Sequence, residues 1–168
     1  MEKALKIINE MLKNEVIRDY AIGGGIAALF YIEPILTYNL DIFFIPKEER
    51  IDILSDLYKY LKEKGYDSEK EYILIEGITV QFIPVYNNLV IESVEKSIES
   101  CYLNTATKVL RPEYLIAISL QTFRPKDIDR IMKFLKESEV DFELLESILK
   151  SHELLDKYLE FKEKYYEK

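Results

Sequence analysis

Two stretches of this chain carry residues whose type and spacing could do chemistry. The first is Gly23-Gly24-Gly25, placed between the short apolar run Tyr20-Ala21-Ile22 and the apolar, alanine-containing segment Ile26–Ile32. Glycines between a strand and a helix permit positive φ and let backbone N–H groups come close to a ligand. A helix start adds unpaired N–H donors, so phosphate is a natural guest. The same three glycines also suit a tight strand-to-helix corner with no ligand at all. They form neither a Walker loop, since no Gly-Lys-Ser/Thr follows, nor a GxGxxG dinucleotide turn.

The second stretch is Thr37-Tyr38-Asn39-Leu40-Asp41-Ile42-Phe43. Strand alternation puts Asn39, Asp41 and Phe43 on one face and Leu40 and Ile42 on the other. A carboxylate inside an apolar strand is costly to bury without a cation or strong donors. Asp41 therefore reads either as a ligand-holding acid or as a hydrogen-bonded acid at a sheet edge. A third cluster, Arg124, Lys126, Asp127, Asp129 and Arg130, is dense in charge. It suits a capped helix start, and also a phosphate-reaching pair, Arg124 and Lys126.

Other chemistries fail on scarcity. The chain has one cysteine, Cys101, and one histidine, His152. An internal disulfide and a cysteine-based zinc site are excluded, and Cys–His or Ser–His nucleophilic catalysis has little to draw on.

The elements that must position these residues are legible from periodicity. Apolar spacing predicts helices over 2–14, 26–32 and 48–64, the last with Ile51, Leu54, Leu57, Tyr58 and Leu61 inward and Gly65 as its stop. Strands are expected at 20–22, 39–45, 72–75, 78–85 and 107–110, with Glu76-Gly77 as a hairpin break. Residues 90–100 fit a short helix or a loop. Pro112 and Pro125 open helices near 112–122 and 125–137, and Asp141 and Ser151 are candidate N-caps for two more. Strands early and helices late favour an α+β fold: a small mixed β-sheet with packed helices in 1–111, then a C-terminal helical bundle in 112–168.

At the quoted motifs the sequence resembles the nucleotidyltransferase superfamily of DNA polymerase beta-like fold, in particular its minimal and AbiEii-like members. Gly24-Gly25 resembles the paired glycines, and Thr37–Phe43 resembles the Thr-x-Asp-hydrophobic-Asp stretch. Ile78-Thr79-Val80-Gln81-Phe82-Ile83 is similar to the strand of the third acid, and 115–127 to the helical segment after the catalytic core. Asn39 and Gln81 stand where the first and third acids belong, Ile35 where Arg is frequent, and Ser119 where Lys is common.

The resemblance implies a nucleoside triphosphate held by Gly24, Gly25, Thr37 and Lys126. It implies a Mg²⁺ ion on Asp41, with Asn39 and Gln81 as neutral auxiliary ligands beside it in the catalytic row. It also implies transfer of a nucleoside monophosphate to an acceptor not identified by the sequence. Each lost carboxylate removes of order 4 kcal/mol of attraction at ~4 Å and an effective dielectric near 20, which argues against a second metal. No acid at suitable spacing substitutes for the lost ones; Glu76, beside the hairpin turn, is the one candidate. The alternative expectation is a catalytically silent nucleotide-binding or protein-interaction module, as in toxin–antitoxin pairs.

Composition bounds the rest. Of 168 residues, 48% are hydrophobic and 32% charged, which gives a packed core under a charged surface rather than disorder. A formal net charge of −8 argues against wrapping extended nucleic acid. Apolar runs such as 42–46 fall far short of the ~20 residues of a membrane span. The start Met1–Lys6 is charged, without an apolar signal core, so a cytoplasmic protein is expected.

Overall fold

In a computed structural model, which describes residues 1–33, 37 and 39–167, the chain is an α+β protein. Among the described residues it has eight α-helices and one seven-stranded mixed sheet. Two compact units are formed: Met1–Ala27 with Leu36–Leu110, and Ala28–Ile35 with Arg111–Lys168.

The first unit holds the sheet. Its strands are β1 (Ile17–Gly23), β2 (Leu40–Pro46), β3 (Ser68–Glu69), β4 (Tyr72–Ile75), β5 (Ile78–Pro84), β6 (Ile98–Tyr102) and β7 (Thr105–Val109). They lie in the order β3-β4-β5-β2-β1-β7-β6. Pairing is parallel between β2 and β5 and between β1 and β7, and antiparallel elsewhere.

The two sheet faces differ in cover. Tyr20, Ile22, Leu40, Ile42, Phe44, Ile73, Val80 and Phe82 alternate onto one face and are buried, with the Phe44 and Phe82 rings edge to face at 6.3 Å. Helix α1 (Glu2–Lys13) packs on β1 and β7. There the Tyr20 hydroxyl donates to Asn9 Oδ1 at 2.7 Å and lies 3.1 Å from Thr107 Oγ1. The opposite face is buried at Ala21, Gly23 and Phe43. It is only half-buried at Asp41, Thr79, Gln81 and Tyr72, and Leu74 is exposed.

Several boundaries differ from the sequence reading. Helix α2 (Gly24–Ala28) is a single turn of five residues, where apolar content predicts seven residues from Ile26; Pro34, where that helix was expected to close, lies outside the described residues. The next helix, α3, spans Ile53–Glu63, and Ile51 is fully exposed instead of inward. Gly65 at φ +92 follows it in the left-handed position that ends helices. Residues 90–100 divide between α4 (Asn88–Glu95), capped by the Asn87 side chain on Val90 N–H at 2.9 Å, and strand β6. Helical and extended signals abut there, so periodicity has no single period to report.

The second unit is helical: α5 (Pro112–Thr122), α6 (Pro125–Glu137), α7 (Phe142–Ser151), α8 (Leu155–Phe161) and a π-helical turn, Lys162–Tyr166. Asp141 caps α7 through Leu144 N–H at 3.0 Å, while the residue before α8 is Leu154 and not Ser151, which still belongs to α7. Buried Glu113 on α5 accepts the Asp141 N–H at 2.8 Å, which ties α5 to the start of α7. Burial, then the Glu113 charge, pushes the Tyr31 phenol up to about 12, so this half-buried hydroxyl stays neutral.

Candidate functional site

The half-open sheet face carries one row of side chains across four strands. Antiparallel pairing sets Gly23 opposite Asp41, parallel pairing sets Asp41 opposite Gln81, and antiparallel pairing sets Gln81 opposite Tyr72. Directly opposed residues point to the same side of a sheet, so Asp41, Gln81 and Tyr72 share a surface.

Gly24 closes one end of the row. It adopts φ +59, and a Cβ built there would overlap Asp41 Oδ2, with the Asp41 Cγ and Cβ close behind. Backbone and carboxylate therefore approach in a way that only glycine permits. Gly23 is constrained similarly, because its missing Cβ is replaced by the edge of the Phe43 ring. Gly23 and Gly24 thus form the contact surface for Phe43 and Asp41. Helix α2 has only five residues, too short for a helix dipole to add at this corner.

Asn39 immediately precedes β2 and is half-buried, one residue outside the strand that the sequence predicts to include it. Thr37 is also half-buried and Gly25 is buried. Ile35 and Tyr38, which belong to the motif, lie outside the described residues. Lys126 is exposed on α6 in the second unit. Glu76 is exposed at the β4–β5 turn, where it accepts the Tyr66 hydroxyl at 2.6 Å, so it does not stand in for a missing acid of the row.

Tyr72 is the member of the row that motif reading missed. Its phenol is pushed up, first by the charge of Glu71, then by burial and a hydrogen bond to Glu71, with Asp41 adding to the same effect. The signal was available by counting. A two-residue Glu76-Gly77 turn fixes the hairpin register, and stepping outward from it pairs Tyr72 with Gln81.

Could these residues hold Mg²⁺? Among the described residues there is no group of three His, Cys, Asp or Glu side chains able to hold a metal ion. The row offers one carboxylate and neutral oxygens, a donor set that does not fit a two-metal centre. It does fit a single Mg²⁺ that arrives on phosphate oxygens and takes one carboxylate from the protein.

A search of solved structures finds this same architecture. The chain superposes on a nucleotidyltransferase-like protein from Paracoccidioides brasiliensis with a TM-score of 0.54 at 14% identity, covering 93% of this chain and 90% of that one. The chain has a nucleotidyltransferase fold. A crystal structure of ANT(2")-Ia in complex with adenylyl-2"-tobramycin aligns with a TM-score of 0.52 at 13% identity, covering 96% and 98% of the two chains. No protein-family model matches the sequence, and no curated protein matches it. The nucleotidyltransferase fold is therefore established by shape and not by sequence kinship. Among the described residues no helix is long and apolar enough to cross a membrane.

Proposed function

We propose that this chain binds a nucleoside triphosphate on the row formed by Gly24, Asp41 and Gln81, and transfers a nucleoside monophosphate from it to a hydroxyl or phosphate of an acceptor. In that transfer the bond from the α-phosphorus to its bridging oxygen breaks and pyrophosphate leaves. A bond forms to the acceptor oxygen, which gives up its proton. The observation that carries the reading is the Gly24–Asp41 approach: a left-handed glycine pressed against the strand carboxylate, at the two motifs that resemble the family.

Asp41 would hold Mg²⁺ together with phosphate oxygens, and the ion would offset the triphosphate charge. Gln81 and Asn39 would contribute neutral oxygens and amide donors. Thr37 would orient phosphate through its hydroxyl, and the Gly24 and Gly25 backbone would approach it closely.

A second reading is favoured by the donor set. With one carboxylate where the family pattern has three, the chain would bind nucleotide without turning it over, acting as a sensor or an interaction module. Melting and equilibrium binding with each of the four common ribonucleoside triphosphates and Mg²⁺ test the shared part. We expect a rise in melting temperature with at least one of them. Asp41→Asn should weaken that nucleotide by about tenfold or more, the factor equivalent to roughly 1.4 kcal/mol. No response to any triphosphate would overturn both readings. Binding without pyrophosphate release or label transfer would select the second.

A further inference from the structure

The two edges of the sheet are built differently. At one edge β3 is two residues long, Ser68–Glu69, exposed, and flanked by the charges of Asp67 and Lys70. Short, charged edges resist further strand pairing. At the other edge β6 runs for five residues in an unbroken ladder, with Ile98 opposite Val109 through to Tyr102 opposite Thr105. Between Ile98 and Tyr102 there is no proline, lysine or arginine, and the ladder has no bulge. Ile98, Glu99 and Cys101 are exposed, and Leu103 just beyond the strand is 70% exposed. Of the usual edge protections β6 carries one, the charge of exposed Glu99.

We propose that β6 is a self-pairing edge: two copies of this chain join through antiparallel β6 strands, so that their sheets become continuous. The choice of a second copy follows from the register of β6 with itself, Ile98 falling opposite Tyr102. Each chain carries a net charge of −8, so self-association needs a locally compatible strip. Glu99 is the one ionic residue of β6, and Lys108 lies opposite it on β7. A two-fold axis through Ser100 sets Glu99 against the partner's Cys101 and Ile98 against the partner's Tyr102. No like charges stand directly opposite one another, and exposed Ile98 gains an aromatic neighbour.

The flank of the strand agrees. A cleft of about 590 Å³ lies beside α1 and the β6–β7 hairpin, lined by Leu12, Lys13, Ser100, Cys101 and Thr107 among others. The same two-fold brings the second copy's α1 to the far side of this cleft, extending the helix layer along with the sheet. This inference does not depend on the nucleotide reading.

Sedimentation equilibrium of the full chain, from low to high micromolar concentration, is the direct test. We expect a reversible step from one chain mass to two. Ser100→Lys places two ammonium groups on the axis and should raise the dissociation constant by about tenfold or more, with the melting temperature of the dilute monomer unchanged. Glu99→Cys sets a new thiol opposite the partner's Cys101. Oxidation with diamide, which accepts the two electrons and two protons released by each disulfide, should then give a covalent dimer that is lost when Cys101→Ser is added. A single-chain mass at every concentration would overturn the proposal. So would a dimer whose dissociation is indifferent to Ser100→Lys.

Discussion

Asp41 and Asp127 are both acids that the sequence marks as unusual, and the chain treats them in opposite ways. Asp127, only 1% exposed, is surrounded by donors from its own helix and from the end of α5. Its Oδ2 accepts from Thr122 Oγ1 at 2.8 Å, Arg124 N–H at 2.9 Å and Arg124 Nε at 2.8 Å, and Oδ1 lies 3.6 Å from Arg130 Nη1. Asp41 is half-buried on a sheet face, packed against a glycine and level with an amide and a phenol. Asp127 is thus committed to holding α5 and α6 together, so of the two readings open for the 124–130 cluster the capped helix start is the one its hydrogen bonds describe. Asp41 is placed by a backbone that has given up its Cβ to make room. The difference is one of surroundings: Asp127 is enclosed by the groups that cap its helix, whereas Asp41 stands on a half-open face against a glycine whose missing Cβ leaves it room.

Breaking the space beside Asp41 should have the largest effect. Gly24→Ala adds a Cβ into the carboxylate and forces a non-glycine residue to φ +59. The backbone alone costs about 1–2 kcal/mol, and overpacking a filled site adds about 1–3 kcal/mol. Gly77→Ala is the matched control, because Gly77 has φ +81 and nothing within 4 Å of its Cβ position. Urea unfolding should show Gly24→Ala as the more destabilising of the two. Adding Asp41→Ala to Gly24→Ala should recover part of the difference but none of the nucleotide response. Equal costs at the two glycines would mean that Asp41 swings aside freely and that the close approach is not a constraint.

Removing the charge of Asp127 should come next. Asp127→Asn leaves the Arg124 and Arg130 guanidinium groups facing an amide, and we expect a loss of about 2–3 kcal/mol in unfolding free energy. Nucleotide-induced stabilisation should persist in the folded fraction. The acid limb gives a second readout. Burial alone would raise the Asp127 pKa, but hydrogen bonds from Arg124 and Thr122 outweigh it and hold the carboxyl below its ordinary 3.8. A depressed folded pKa means that the unfolded chain binds the proton more readily. The stabilisation is therefore complete above the ordinary carboxylate range and disappears as pH falls through the folded value. Parent and Asp127→Asn should draw together as pH falls below the ordinary carboxylate range of about 4 and meet only below the depressed folded value. A constant gap down to lower pH would assign the loss to packing and not to charge.

Much of this was readable before any coordinates. The α5 and α6 boundaries follow from Pro112 and Pro125, and the Asp141 cap from its position ahead of an apolar stripe. The alternation of Leu40, Asp41 and Ile42 gave the polarity of β2. The sequence left out what depends on partners. Ile51 has the helical spacing of a buried residue, yet α3 begins two residues later and leaves it in solvent. Strand β6 has few inward residues to mark it, because an edge strand buries little. The contact between Gly24 and Asp41 joins residues far apart in the chain, so spacing could show that glycines were present but not what they had to avoid.

The smallest expected effect sharpens the contrast from the other side, by adding acids to the cleared space. Gln81 stands directly across the parallel ladder from Asp41. Gln81→Asp, with or without Asn39→Asp, sets like charges on neighbouring strands of a half-open face. Directly opposed like charges in a sheet cost up to about 1 kcal/mol, so the metal-free variant should melt slightly below the parent. Each substitution also adds one negative charge to a row that holds one, and a divalent cation bound only by the folded state must then return the loss. Calorimetric titration with Mg²⁺ should show tighter binding to the variant than to the parent, and melting with Mg²⁺ should bring the variant level with the parent or above it. The nucleotide need not be present, so the result separates the charge of the row from the identity of its ligand. Equal Mg²⁺ responses in parent and variant would place the cation elsewhere and leave Asp41 as a contact for the nucleotide itself.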